Sequence, residues 1–184
     1  MLALVRDRHH NPPVTLREVA EPEPNADEAL IEVHASSVNR GELALLAARP
    51  DGWRPGQDIA GVVLRPAASG AGPAAGARVV GLVEDAGWSE RVAAPVARLA
   101  TLDDAVSFVD ATTLGLAGRT ALRTVWLAGP LLGRNVLVLG PAAEWDTSSS
   151  SWLSAPRPRD SRVARPVARE PARRSRRQPR CDRQ

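Results

Sequence analysis

The chain has no lysine and no tyrosine, and it carries a single cysteine, Cys181, in 184 residues. One cysteine excludes an internal disulfide framework and any metal site built from several thiolates. No apolar run approaches the roughly 18 residues that a membrane helix needs. The apolar stretch Met1–Val5 is short, and His9, His10 and Pro12 follow at once, which is not the pattern of a secretory signal. The expectation is a soluble, cytoplasmic protein with no membrane partner.

What is present is unevenly spread. From Met1 to Gly140 there are 13 Arg against 16 acids; from Pro141 to Gln184 there are 11 Arg against 5 acids. Arg, Ala, Gly and Pro have GC-rich codons, so the bias points to a GC-rich gene more than to a function. The length suits one domain of ordinary size and part of another.

The first hundred residues read as β-structure. Met1–Val5 and Val14–Val19 are candidate strands around the turn at Asn11–Pro13. Pro22 and Pro24 make a loop. Ala29–Ser36 alternates, with Leu30 and Glu32 on one face and Ile31, Val33 and Ala35 on the other. Gly41–Ala48 suits a short helix before Pro50. Asp58–Leu64, Arg78–Val83, Gly87–Val92 and Val96–Ala100 are further strands, and Pro66–Ala77 is a wide loop. Short strands at close spacing predict a barrel or sandwich. The period then changes. Arg119–Ala128 predicts a helix with Leu122, Val125 and Trp126 on one face, ended by Gly129 and Pro130. Arg134–Gly140 predicts an apolar strand running into glycine. Helix, apolar strand, glycine is how a Rossmann domain begins. Beyond Gly140 no period of either kind continues, and Pro156–Gln184 holds too little apolar matter for a core.

These residues resemble a known family. Val33–Glu42 (VHASSVNRGE) is similar to the strand-to-helix motif of the zinc-free medium-chain dehydrogenase/reductases, the quinone oxidoreductase branch. Gly56–Val63 (GQDIAGVV) resembles its G-x-D-x-x-G-V-V element. Gly76-Ala77-Arg78-Val79, Gly87-Trp88-Ser89-Glu90 and Arg119-Thr120-Ala121 resemble three further elements, in the same order, with Ala77 replacing an Asp. The resemblance spans about residues 14–140. It implies a mainly β, GroES-like, partly open barrel over 1–110, the catalytic module. It implies the first helix and strand of an α/β Rossmann domain over 111–140, and a tail outside the pattern over 141–184. It also implies NADPH as cofactor, a small-molecule substrate such as a quinone, an enone or another activated alkene, and frequent homodimers.

No zinc site is expected. Catalytic zinc takes three protein ligands from Cys, His and acids. Where zinc-dependent relatives carry Cys and His, this chain has the amides Asn39 and Gln57. Asp58 alone is no site, and His9, His10 and His34 lie far from these motifs in sequence. Without a metal such enzymes pass hydride from the nicotinamide to an electron-poor carbon, and the protein supplies orientation and a dry pocket. The resemblance places Asn39 near the nicotinamide and the substrate carbonyl, where its amide can donate to a developing enolate oxygen. Capping of the following helix is an equal alternative. Asp58 orients backbone beneath the site or serves a turn. Thr120 touches the nicotinamide end or is ordinary helix-start chemistry, and Gly140 begins the phosphate turn.

The tail reads as a shifted frame. Family members follow the strand with a Gly-rich loop and a helix; here Gly140 is followed by PAAEWDTSSSSWL. Reading codons across each boundary, Trp145 into Asp146 gives Gly without choice, and Glu144 into Trp145 gives Val or Met. Thr147–Ser150 can give three aliphatic or Phe residues, and Ser151–Leu153 gives Leu, when Ser151 uses an AG-type codon, followed by Ala or Val. The recovered string matches the phosphate loop and first helix, so a single-base shift near Pro141 is expected. The chain as it stands is then an oxidoreductase by descent, without NADPH binding, and monomeric or aggregating. Two alternatives stay open. One is a stand-alone GroES-like binding domain. The other is weak, non-specific nucleic-acid attraction by the Arg-rich segment 169–180, since basic runs attract phosphates.

Overall fold

Alternation in the third strand organises the first half of the chain. A computed structural model describes residues 1–137. The expectations for Gly140, for the span 141–184 and for its Arg-rich segment lie outside the described residues. Within β3 (Glu28–Ser36), Ala29 and Ile31 are fully buried while His34 and Ser36 are exposed. β3 pairs antiparallel with β4 (Asp58–Arg65) on one side and with β6 (Arg91–Pro95) on the other. β5 (Arg78–Leu82) continues the sheet from β4, and β7 (Leu99–Thr101) ends it. The order is β6-β3-β4-β5-β7, and β1 (Leu2–Arg6) with β2 (Val14–Glu18) forms a separate antiparallel pair. Among the described residues the architecture is mainly β, in two open sheets, and the five-stranded sheet does not close into a barrel.

The core is small-residue and β-branched. Ala29, Ile31, Ile59, Val63, Val79, Val92 and Ala94, all from the five-stranded sheet, pack together. Burying one Ile or Val side chain contributes roughly 1.5–3 kcal/mol, so this cluster holds β3, β4, β5 and β6 in place. Register shifts interrupt the β3–β4 ladder at Leu30/Ile31 and at Val33/Ala35. Such bulges re-aim the strand beyond them, here the stretch that leads to Ser37 and Asn39.

Three helices follow from local signals. α1 (Arg40–Ala48) starts at Asn39 and ends before Pro50. α2 (Phe108–Thr112) is capped by Ser107, whose hydroxyl accepts the Asp110 N–H at 3.0 Å. A π-helical turn, Leu114–Gly118, joins it to α3 (Arg119–Ala128), which Gly129 ends.

Two local expectations need correction. The strand expected over Gly87–Val92 sits later, at Arg91–Pro95, because Gly87 and Trp88 turn back onto Gly56 and Pro55 through backbone hydrogen bonds of 2.9 and 3.0 Å. The strand expected over Val96–Ala100 is a short 3-10 turn, Val96–Arg98, followed by β7. Residues 134–137, the described part of the strand expected over Arg134–Gly140, carry no strand. In these described residues no sheet partner stands beside them; the five-stranded sheet ends at β6 and β7.

Candidate functional site

The end of β3, the start of α1 and the first residue of β4 meet at one buried corner. Asp58 is 1% exposed. Its Oδ2 accepts the Ser37 hydroxyl and the Asn39 Nδ2–H, both at 2.7 Å. Its Oδ1 accepts the backbone N–H of Leu116, also at 2.7 Å. A buried carboxylate is costly unless its acceptor positions are filled. Here three donors from two distant segments fill them.

A second carboxylate backs the first. Glu42 is fully buried in the first turn of α1. Its Oε2 accepts the Asn39 N–H and its Oε1 the Gln57 N–H, each at 2.7 Å. Asn39 and Glu42 stand in capping-box positions, and the Glu42 N–H reaches the Asn39 backbone carbonyl at 3.0 Å. Burial pushes the Glu42 carboxyl above its ordinary range, and the Asp58 charge adds to that, while the two backbone N–H groups pull the other way.

Asn39 is therefore held twice, by Asp58 through its side chain and by Glu42 through its backbone. A carboxylate cannot donate, so the amide nitrogen must face Asp58. That leaves Asn39 Oδ1 turned away, buried and without a hydrogen-bond partner. Asn39 itself is 1% exposed, so no substrate atom reaches it in this arrangement.

Two glycines permit this corner. Gly56, just before Gln57, has φ +107, and a Cβ there would overlap the Trp88 backbone. At Gly115, in the π turn, a Cβ would overlap Asp58 Oδ1. The absent side chain lets the turn approach close enough for Leu116 to donate. Thr120 lies in the first turn of α3, half-buried, and its carbonyl accepts the Thr124 hydroxyl at 2.9 Å. Nothing in the hydrogen bonding of the described residues brings Thr120 to Asn39 or Asp58.

A groove of about 570 Å³ opens beside the corner. Leu4, Leu16, Val38 and Trp88 give it apolar walls, and His34 and Glu90 give it polar ones. Trp88 Nε1 donates to the Ser37 carbonyl at 2.9 Å, so one hydrogen bond links a groove-lining side chain to the Asp58 corner.

The structure thus joins Asn39 to Asp58 by a hydrogen bond and, among the described residues, gives Thr120 a bond to Thr124 rather than to either of them. Sequence reasoning missed three partners: Ser37, Glu42 and the Leu116 N–H. The signal for Glu42 was available, since Asn followed by Glu three residues later is the capping-box spacing. Leu116 gave no signal, because a backbone donor has no sequence mark.

Among the described residues no three His, Cys, Asp or Glu side chains gather to hold a metal. Phosphates favour a free helix N-terminus. The start of α1 faces the Glu42 carboxylate, α2 is capped by Ser107 with Asp110 in its first turn, and α3 continues from the π turn with Gly118 in helical conformation. No helix among the described residues is long and apolar enough to cross a membrane.

No family model and no curated protein matches the chain. Solved structures do. The human synaptic vesicle membrane protein VAT-1 homolog-like protein superposes with a TM-score of 0.76 at 25% identity, over 84% of this chain and 52% of that one. An alcohol dehydrogenase superfamily protein from Novosphingobium aromaticivorans gives 0.71 at 25% identity, over 81% of this chain and 48% of that one. The quinone oxidoreductase from Thermus thermophilus, whose complex with NADPH is also solved, gives 0.69 at 25% identity, over 84% and 50%. The chain spans about half the length of these proteins. Its β architecture is that of the amino-terminal domain of the medium-chain dehydrogenase/reductase fold.

Proposed function

We propose that this chain is the substrate-side half of an oxidoreductase of the zinc-free quinone oxidoreductase type, and that its intact form uses NADPH to reduce a quinone, an enone or a related activated alkene. The observation that carries the reading is the bonding of Asn39 to Asp58 and of Asp58 to Leu116, within a fold shared with a quinone oxidoreductase. The amides at Asn39 and Gln57, which are poor zinc ligands, favour the zinc-free type.

The role of the chain's own residues is orientation. Ser37, Asn39 and Asp58 form a bonded corner, and Trp88, which lines the groove of about 570 Å³, ties the two together through its hydrogen bond to the Ser37 carbonyl. NADPH, when bound to the intact protein, supplies the hydride. We assign the 184-residue chain itself no turnover. In sequence, Gly140 is followed by Pro141, which lacks an N–H, and by Glu144, whose charge repels phosphate.

The test is a repaired gene. One base added near the Pro141 codon should yield a longer protein that oxidises NADPH in the presence of a quinone or an enone, with or without a chelator. The 184-residue form should show no saturable NADPH binding by fluorescence titration. Chelator-sensitive turnover would reject the zinc-free reading, and NADPH turnover by the short form would reject its assignment as inactive.

A further inference from the structure

We propose that Glu42 is a positioning residue of this site: its carboxylate fixes the Asn39 and Gln57 backbones at one spacing, and so sets Asn39 against Asp58. The proposal rests on the reading of the Asn39–Asp58 corner given above.

The argument starts from what a helix cap alone would require. A capping-box glutamate needs one oxygen, for the N-cap N–H. Glu42 is 0% exposed and uses both oxygens. One takes Asn39 N–H, three residues back; the other takes Gln57 N–H, 15 residues on. The second bond contributes nothing to capping. It ties α1 to the residue immediately before Asp58.

The cost of this arrangement sharpens the point. An ionised carboxylate loses its hydration when buried, and a neutral residue of similar size avoids that loss. A glutamine at position 42 would have only one acceptor oxygen, and its NH2 group would face an N–H. Two converging backbone donors need two acceptors on one planar group, which a carboxylate offers. The geometry that results leaves Asn39 fixed at its backbone nitrogen and at Nδ2, with Oδ1 alone unpartnered.

The experiment measures amide exchange and side-chain resonances in the 184-residue chain and two variants. In Glu42→Gln, exchange at Asn39 or Gln57 should accelerate about tenfold or more, the range expected for loss of one charge-assisted hydrogen bond. The Asn39 side-chain amide resonances should move with it, because the contact with Asp58 shifts. Amides in β3, β4 and β6 should keep their protection. Glu42→Asp retains both oxygens on a stem one methylene shorter; it should restore one of the two amides and not the other. Unchanged Asn39 side-chain resonances in Glu42→Gln would overturn the proposal. So would uniform loss of protection across the sheet, which marks a keystone of the fold instead, and so would full protection of both amides in Glu42→Asp. Failure of the repaired protein to oxidise NADPH would leave these exchange results standing, so the two readings fail separately.

Discussion

Leu116 and Asp58 are joined across 58 residues of chain by a single hydrogen bond, 2.7 Å from the Leu116 N–H to Asp58 Oδ1. It is the bond that carries the corner onto the helical connector. The other oxygen of the same carboxylate holds Ser37 and Asn39. Removing the carboxylate therefore strands donors on two segments at once. Asp58→Ala should destabilise the chain by about 2–4 kcal/mol, since buried donors left unmet cost about 1–3 kcal/mol each and do not add fully. Asp58→Asn should cost less, because its remaining oxygen can still accept Leu116. Denaturant midpoints with unchanged slopes check both.

Gly115 tests the same bond from the other side. A Cβ there overlaps Asp58 Oδ1, whereas a Cβ at Gly41, on the exposed side of α1, meets nothing within 4 Å. Gly115→Ala should destabilise by about 1–3 kcal/mol, as overpacking does. Gly41→Ala should stabilise by about 0.5–1 kcal/mol through helix propensity. Equal effects of the two substitutions would show that close approach at Gly115 is not what requires glycine.

Much of this fold was legible because burial imposes a period. β3 alternates as its sequence does, and Arg119–Ala128 is the helix that its apolar spacing and Gly129 mark out. The miss at Gly87–Val92 has a physical cause. Apolar residues there are buried by a turn packing on Gly56, and burial alone does not specify a strand. At the site, Asn39 and Asp58 stood out through the family-like motifs. Their bonding partners did not, since Ser37 is one hydroxyl among several and Leu116 acts through its backbone. Nor did the sequence reveal that Asn39 is sealed from solvent, which depends on how β3, α1 and β4 converge.

Acid should act on two carboxylates with opposite sign. Burial raises the Glu42 carboxyl above 4.5 in the folded chain. The folded state then binds the proton more readily, so this group's contribution is most favourable below about 4.5 and is lost as pH rises through its folded value. Asp51 is the reverse case. A hydrogen bond from Arg8 leads the causes that hold it below 3.8, with the Arg6 and Arg8 charges adding to it. Its contribution is present above about 3.8 and fades as pH falls through the lower folded value. Unfolding free energy followed from neutral to acid pH should show Glu42→Gln removing a gain on acidification that begins above 4.5, and Asp51→Asn removing a loss below 3.8. A profile unaltered by either substitution would contradict the assignments.

The connector leaves apolar surface uncovered among the described residues. The expected face was Leu122, Val125 and Trp126. Leu122 and Val125 are half-buried, but Trp126 is 72% exposed and its neighbour Leu127 is 77% exposed. Ala121, on the opposite side of α3, is fully buried and anchors the helix, so the exposed pair is not simply a frayed end. Adjacent large apolar residues on a rigid helix favour self-association, since removing them from water is favourable whichever surface covers them. Trp126→Gln combined with Leu127→Gln should therefore raise the monomer fraction of the 184-residue chain in sedimentation velocity. The thermal midpoint should barely move, because exposed side chains contribute within about 0.5 kcal/mol to stability. A drop in stability of several kcal/mol would mean that the pair is packed in solution, and an unchanged sedimentation profile would mean that association, if any, uses another surface.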